Sequence, residues 1–169
     1  SNSRKKGMRC FRMKLDGAEE IWKYQGCQDK GSSPVIVDGH VFVQGEKRLA
    51  CVDLQSGEEE WMTNLDLGRP QYTSLVAADS KVYYALEGVL CFAATDTEYK
   101  PLIEGKINKA GLLATEDAHR KLLKLDDLPQ GIAEREYQNN VGRQGPVACA
   151  SPAIANCPMF ARLHNALAV

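Results

Sequence analysis

The sequence predicts a mainly β chain, a partial β-propeller of four-stranded antiparallel blades with a helical insertion. Three observations carry this. Trp22 and Trp61 stand 39 residues apart and close similar phrases, residues 16–22 and 55–61. A second phrase, an apolar run followed by a two-residue turn and another apolar run, occurs at residues 32–42, 73–83 and 150–160. The first two copies start 41 residues apart and the third comes 77 later, so a long insertion separates them. Finally, residues 31–63 hold four short strand-like runs, and four strands in roughly 40 residues is the pattern of a propeller blade.

In chain order, residues 8–24 read as the last two strands of a blade whose beginning lies outside the sequence. Residues 31–63 read as a whole blade. Val35, Val37, Val41 and Val43 suit a pleated, half-buried surface. Asp38-Gly39 joins the first two strands, because Asp and Gly tolerate the positive φ of a tight hairpin turn. Arg48 begins the third strand, Ser56-Gly57 turns the chain, and Trp61 lies in the fourth strand. Residues 72–107 repeat the pattern with Asp79-Ser80 at the hairpin and residues 99–107 as the outer strand.

Residues 108–148 break the repeat. Thr115 is placed to cap a helix that has Glu116 and Asp117 in its first turn, where acids suit the dipole. Ala118, Leu122 and Leu125 form its expected apolar face, and His119 is expected in solvent. A second helix opens near Asp127 and Pro129, buries Ile132, Ala133 and Tyr137, and ends within residues 139–142. A rival reading makes residues 111–115 and 121–126 two further strands. Residues 149–169 read as the opening of another blade, with Asn156-Cys157 at its hairpin and His164 in a later turn. The expected consequence is that the terminal half-blades pair, within one chain or in a homodimer of two copies.

Trp22 and Trp61 are expected to be structural, packing between blades; a ring of aromatics around a ligand is the sharper alternative. Of the six cysteines, Cys10, Cys51 and Cys91 sit in strand-like runs about 40 residues apart. Equivalent positions on neighbouring units are too far apart for a disulfide, so these three are expected to be small structural core residues. Cys149 and Cys157 are the remaining candidates for a bond, or for free thiols.

These units resemble the bacterial pyrroloquinoline-quinone-like (PQQ-like) propeller repeat. In that repeat a Ser-Pro-apolar-Asp-Gly strand pair precedes a Leu-x-Ala-x-Asp strand and then Thr/Ser-Gly-x-x-x-Trp. Ser33-Pro34 through Gly39, Leu49 through Asp53, and Ser56-Gly57 through Trp61 match best, with Cys51 where Ala is usual. The second unit departs, with Leu75 where Pro is usual and no closing Trp. The resemblance implies a quinoprotein-dehydrogenase-like propeller, commonly periplasmic or extracellular.

Enzymes of that family hold calcium through oxygen ligands beside the quinone, use a carboxylate base, and commonly carry a disulfide between adjacent cysteines. No two cysteines are adjacent here. The expectation is therefore no catalytic, cofactor-binding or metal residue: a non-catalytic scaffold that binds a protein or small ligand of unknown identity. The alternative is a portion of a PQQ-dependent alcohol or sugar dehydrogenase whose site residues, and whose PQQ and calcium, belong to other parts of the protein. Asp38, Asp53 and Asp79 are read as turn or strand-end residues. A balance of 21 Lys+Arg against 22 Asp+Glu argues against a nucleic-acid surface. No apolar run approaches the roughly 18 residues of a membrane span. Ser1 to Gly7 is polar and basic, unlike a signal peptide.

Overall fold

The computed structural model describes residues 7–27, 31–65, 73–86, 88–142, 152–154, 159–162 and 167–168. The chain is mainly β, in antiparallel sheets. Strands β1 (Met8–Lys14) and β2 (Gly17–Tyr24) form a hairpin. Strands β3 (Val35–Val37), β4 (His40–Gly45), β5 (Arg48–Asp53) and β6 (Glu59–Asn64) form a four-stranded sheet in chain order. A five-stranded sheet follows, from β7 (Val76–Ala78), β8 (Lys81–Ala85), β9 (Val89–Ala93), β10 (Pro101–Ile107) and β11 (Leu113–Ala114). Strands β12 (Ala153–Ile154), β13 (Met159–Arg162) and β14 (Leu167–Ala168) make a three-stranded sheet. The first strands of the last three sheets stand together, β3 against β7 and β7 against β12.

Turn chemistry sets these hairpins. Asp38 and Gly39 take φ of 46° and 82°, and Asp79 and Ser80 take 51° and 52°. Two successive residues at positive φ match the right-handed twist of the flanking strands. At the β5–β6 turn, Asp53 Oδ1 accepts from the backbone N–H groups of Gln55 and Ser56 and from the Ser56 hydroxyl. These donors hold the Asp53 carboxyl below its ordinary range, the Ser56 N–H most of all.

The three leading sheets share one irregularity. Cys10 opposes Trp22, Cys51 opposes Trp61, and Cys91 opposes Ile103. Beside each pair the register shifts by one residue, so an extra residue bulges from the outer strand: Ile21, Glu60 and Leu102. A bulge increases local twist and re-aims a side chain. The closing Trp position of the repeat is thus taken by Ile103, which is 53% exposed.

Two tryptophans tie successive sheets together. Trp22 Nε1 donates to Leu54 O at 2.9 Å, and Trp61 Nε1 donates to Thr95 O at 2.8 Å. Both acceptors lie in loops that leave the third strand of the next sheet. The main core joins the second and third sheets through Phe42, Leu49, Cys51, Trp61, Val82, Tyr84 and Phe92. Burying each large side chain contributes about 1.5–3 kcal/mol. A smaller core of Met8, Tyr24, Cys27, Val41, Val43, Ala50 and Val52 seats the first hairpin on the second sheet.

A buried amide joins the entries to two sheets. Gln44 Oε1 accepts from the Ser32 hydroxyl at 3.2 Å and from the Thr73 N–H at 2.9 Å. All three residues are buried. They reach one point because Ser32 and Thr73 occupy the same place in successive repeats.

The insertion is helical after the short strand β11. Helix α1 (Glu116–Leu122) is capped by Thr115 Oγ1, which accepts from the Ala118 N–H. Helix α2 (Gln130–Tyr137) follows Pro129 and continues as one π-helical stretch, Gln138–Gly142. The buried set differs from the expected one. Ala118, Leu122 and Ile132 are exposed, and the small core comprises Leu125, Ala133, Tyr137 and Val141. His119, expected in solvent, is fully buried, with Nε2 2.7 Å from Lys106 O. The cause is tertiary: the helix presents its His119 face to β10, whose Lys106 carbonyl meets the imidazole. Residues 111–115 supply a two-residue strand, and residues 121–126 form no strand: helix α1 ends at Leu122, the chain turns through Lys124 at φ 52°, and a short 3-10 segment begins at Leu125.

Candidate functional site

The described residues gather polar groups at the end of the second sheet where β4 turns into β5. Gly45, Glu46, Lys47 and Arg48 form this turn, Asn64 closes β6 beside it, and Gln25 and Gly26 arrive from the loop after β2. Together they line a cleft of about 490 Å³. Antiparallel connection dictates the assembly, since the β4–β5 turn, the end of β6 and the loop leaving β2 all fall at one end.

Arg48 Nη1 donates to Gly26 O at 3.2 Å, which closes the cleft between the hairpin and the sheet. Under it lie Tyr24 and Cys27. The Tyr24 hydroxyl donates to Glu59 Oε2, and burial, followed by this bond, pushes its pKa upward. Burial lifts the Cys27 thiol to about 12, against the pull of Arg48. Both groups are therefore neutral at physiological pH. The cleft offers Lys47 and Arg48 cations, the Glu46 carboxylate and the Gln25 and Asn64 amides, with no activated nucleophile among them.

A second, apolar groove of about 320 Å³ follows the seam between hairpin and sheet. Cys10, Phe11 and Trp22 line one side, and Pro34, Ile36, Val41 and Leu54 the other. Trp22 is half-buried in its wall and Trp61 is buried in the core between sheets. The five residues singled out by the sequence are thus not gathered into one site.

Cys51 and Cys91 are buried, Cys10 is half-buried, and all three are free thiols, as is Cys27. Burial lifts the Cys51 thiol to about 12, helped by the charges of Glu60, Asp96 and Asp53. Burial raises the Cys91 thiol as well. Cys149, Cys157 and His164 lie outside the described residues. Sequence reasoning missed the polar cleft because its members come from three separated stretches with no shared motif. Lys47 and Arg48 beside a tight turn were the only available signal.

No protein-family model matches the chain, and no curated relative does. Among solved structures it is similar to a europium-containing methanol dehydrogenase, at 13% identity and a TM-score of 0.47, over 54% of this chain and 20% of that one. It is also similar to the quinohemoprotein alcohol dehydrogenase ADHIIG from Pseudomonas putida, at 17% identity and a TM-score of 0.40, over 53% of this chain and 17% of that one. The match spans about a fifth of the length of either structure. No helix among the described residues is long and apolar enough to cross a membrane.

Proposed function

We propose that this chain is part of a β-propeller and acts as a non-catalytic binding scaffold, with the cleft around Arg48 taking a small, oxygen-rich ligand. The observation that carries this reading is the cleft itself. Its polar groups converge from two sheets, and its buried Tyr24 and Cys27 neighbours are held neutral. Among the described residues, two cations against one carboxylate favour a carboxylated or phosphorylated occupant. The sheets hold the loops in place, and the helical insertion offers a second surface for a protein partner. The scaffold works outside the cytoplasm, in the periplasm or beyond.

The ligand reading is tested by thermal-shift screening against small carboxylic and phosphorylated acids. Stabilisation that is lost in Arg48→Ala, with that variant still folded, is the expected result. No stabilisation by any acid overturns it. The catalytic alternative is tested by reconstitution with pyrroloquinoline quinone and calcium, followed by a dye-linked alcohol assay. We expect neither activity nor a bound-quinone spectrum; either one establishes the dehydrogenase reading instead.

A further inference from the structure

We propose that His40, Asp53 and Glu60, joined by Asp96 from the neighbouring sheet, form a zinc-class divalent metal site that clamps two sheets together. This site shares no residue with the polar cleft and stands whether or not that cleft binds a ligand. One donor atom from each of His40, Asp53 and Glu60 lies within 4.8 Å of the others. Asp96 Oδ2 lies 3.8 Å from His40 Nε2.

The backbone brings these groups together in three ways. His40 and Asp53 are direct cross-strand partners on β4 and β5, so their side chains share one face. Glu60 is the extra residue of the β5–β6 bulge, which turns its carboxylate toward that pair. Asp96 arrives from the loop between β9 and β10, the same loop whose Thr95 carbonyl receives Trp61.

The repeat offers an internal control. The bulge recurs in the hairpin and the third sheet, but the extra residues there are Ile21 and Leu102, 37% and 45% exposed. The pair that corresponds to His40 and Asp53 in the third sheet is Lys81 and Ala93. The fold therefore does without the imidazole and without the Glu60 carboxylate at these places, while the Asp53 carboxylate also holds its own turn through Oδ1. Among the described residues, such a donor set appears together in one unit alone of the three.

Charge points the same way. Asp53 and Glu60 stand beside the His40 imidazole, Asp96 approaches its Nε2 from the next sheet, and among the described residues His40 is the only basic group paired with any of them. A divalent cation supplies the missing positive charge. Asp53 Oδ1 is held by Ser56 and Gln55, which fixes the carboxylate and leaves Oδ2 for a metal. Zinc ligands at about 2.0–2.2 Å sit roughly 3.3 Å apart, so the present spacing closes by rotation of the exposed Glu60 side chain. An imidazole among carboxylates suits zinc and its neighbours, whereas calcium takes 6–8 oxygens.

The test uses the full chain, stripped with a chelator, and titrated calorimetrically with Zn²⁺ and separately with Ca²⁺. We expect one zinc per chain, at least tenfold weaker in His40→Ala and in Glu60→Gln, and a rise in thermal stability with zinc that Asp96→Asn diminishes. All three variants are checked for an unchanged far-ultraviolet dichroism spectrum without metal. Co²⁺ absorption supplies a second readout: nitrogen and oxygen ligands give weak visible bands without thiolate charge transfer. Thiolate bands, zinc affinity unaffected by His40→Ala, calcium bound as tightly as zinc, or no binding at all would each overturn the proposal.

Discussion

Two seams join the first three sheets, and the same repeat position builds both, yet they differ. At the seam between second and third sheets, Trp61 packs against Phe42, Phe92 and Tyr99, with ring centroids 5.9–6.1 Å away. Phe92 and Tyr84 extend this cluster. At the seam between hairpin and second sheet, Trp22 makes no aromatic contact among the described residues and rests against the backbone of Gly57. Each tryptophan donates one hydrogen bond to the next sheet. The hydrogen bond sets the geometry of the repeat, while the residues supplied by the neighbour set how much the seam contributes to stability.

Trp61→Ala breaks the stronger seam and carries the largest expected effect. Loss of a buried tryptophan costs about 3–5 kcal/mol, read as a lower urea midpoint. Gln44→Ala comes next. It removes a buried acceptor of the Thr73 N–H, and a buried donor deprived of its partner costs about 1–3 kcal/mol. Its effect should appear as faster amide exchange at the entries to β3 and β7 together.

Trp22→Ala should cost only about 1–2 kcal/mol, because a hydrogen bond and a half-buried ring are lost. Gly57→Ala probes that seam from the other side. Gly57 has φ of +77°, and a Cβ there would lie 2.6 Å from the Trp22 ring. A non-glycine residue in the left-handed region costs about 1–2 kcal/mol, and the clash lifts the ring from its seat. We expect faster hydrogen exchange in β1 and β2 with little change in β8 and β9. Equal loss of protection in both regions would mean that the two seams form one cooperative unit.

The parts of this molecule legible in sequence are those that local chemistry decides. The positive-φ turns at Asp38-Gly39 and Asp79-Ser80, the Thr115 cap and the spacing of the two tryptophans all follow from neighbours in the chain. The inequality of the seams does not, because it depends on Phe92 and Tyr99 meeting Trp61 across a sheet boundary. His119 was misplaced for the same reason: its helix is amphipathic by composition, but the face it buries is chosen by the Lys106 carbonyl. The polar cleft and the His40 cluster were likewise hidden. Their members are far apart in sequence, and the bulge that turns Glu60 is visible only in the register.

The smallest effect at neutral pH is expected from the buried thiols that flank the seams. Cys27 lies under the hairpin seam and Cys51 beside Trp61, and burial lifts each from 9.0 to about 12. Below the unfolded value both states carry the proton, so neither thiol makes stability depend on pH. As pH rises past about 9 the unfolded chain loses these protons while the folded chain keeps them, and stability falls until the folded thiols also ionise near 12. Cys27→Ala and Cys51→Ala should each flatten this alkaline decline without altering the slope between pH 6 and 8, measured by urea unfolding at fixed ionic strength. Both thiols are fully buried, and desolvation is the first cause of each shift. The two replacements should therefore flatten the curve to a similar extent, which would assign the alkaline response of each seam to its own thiol.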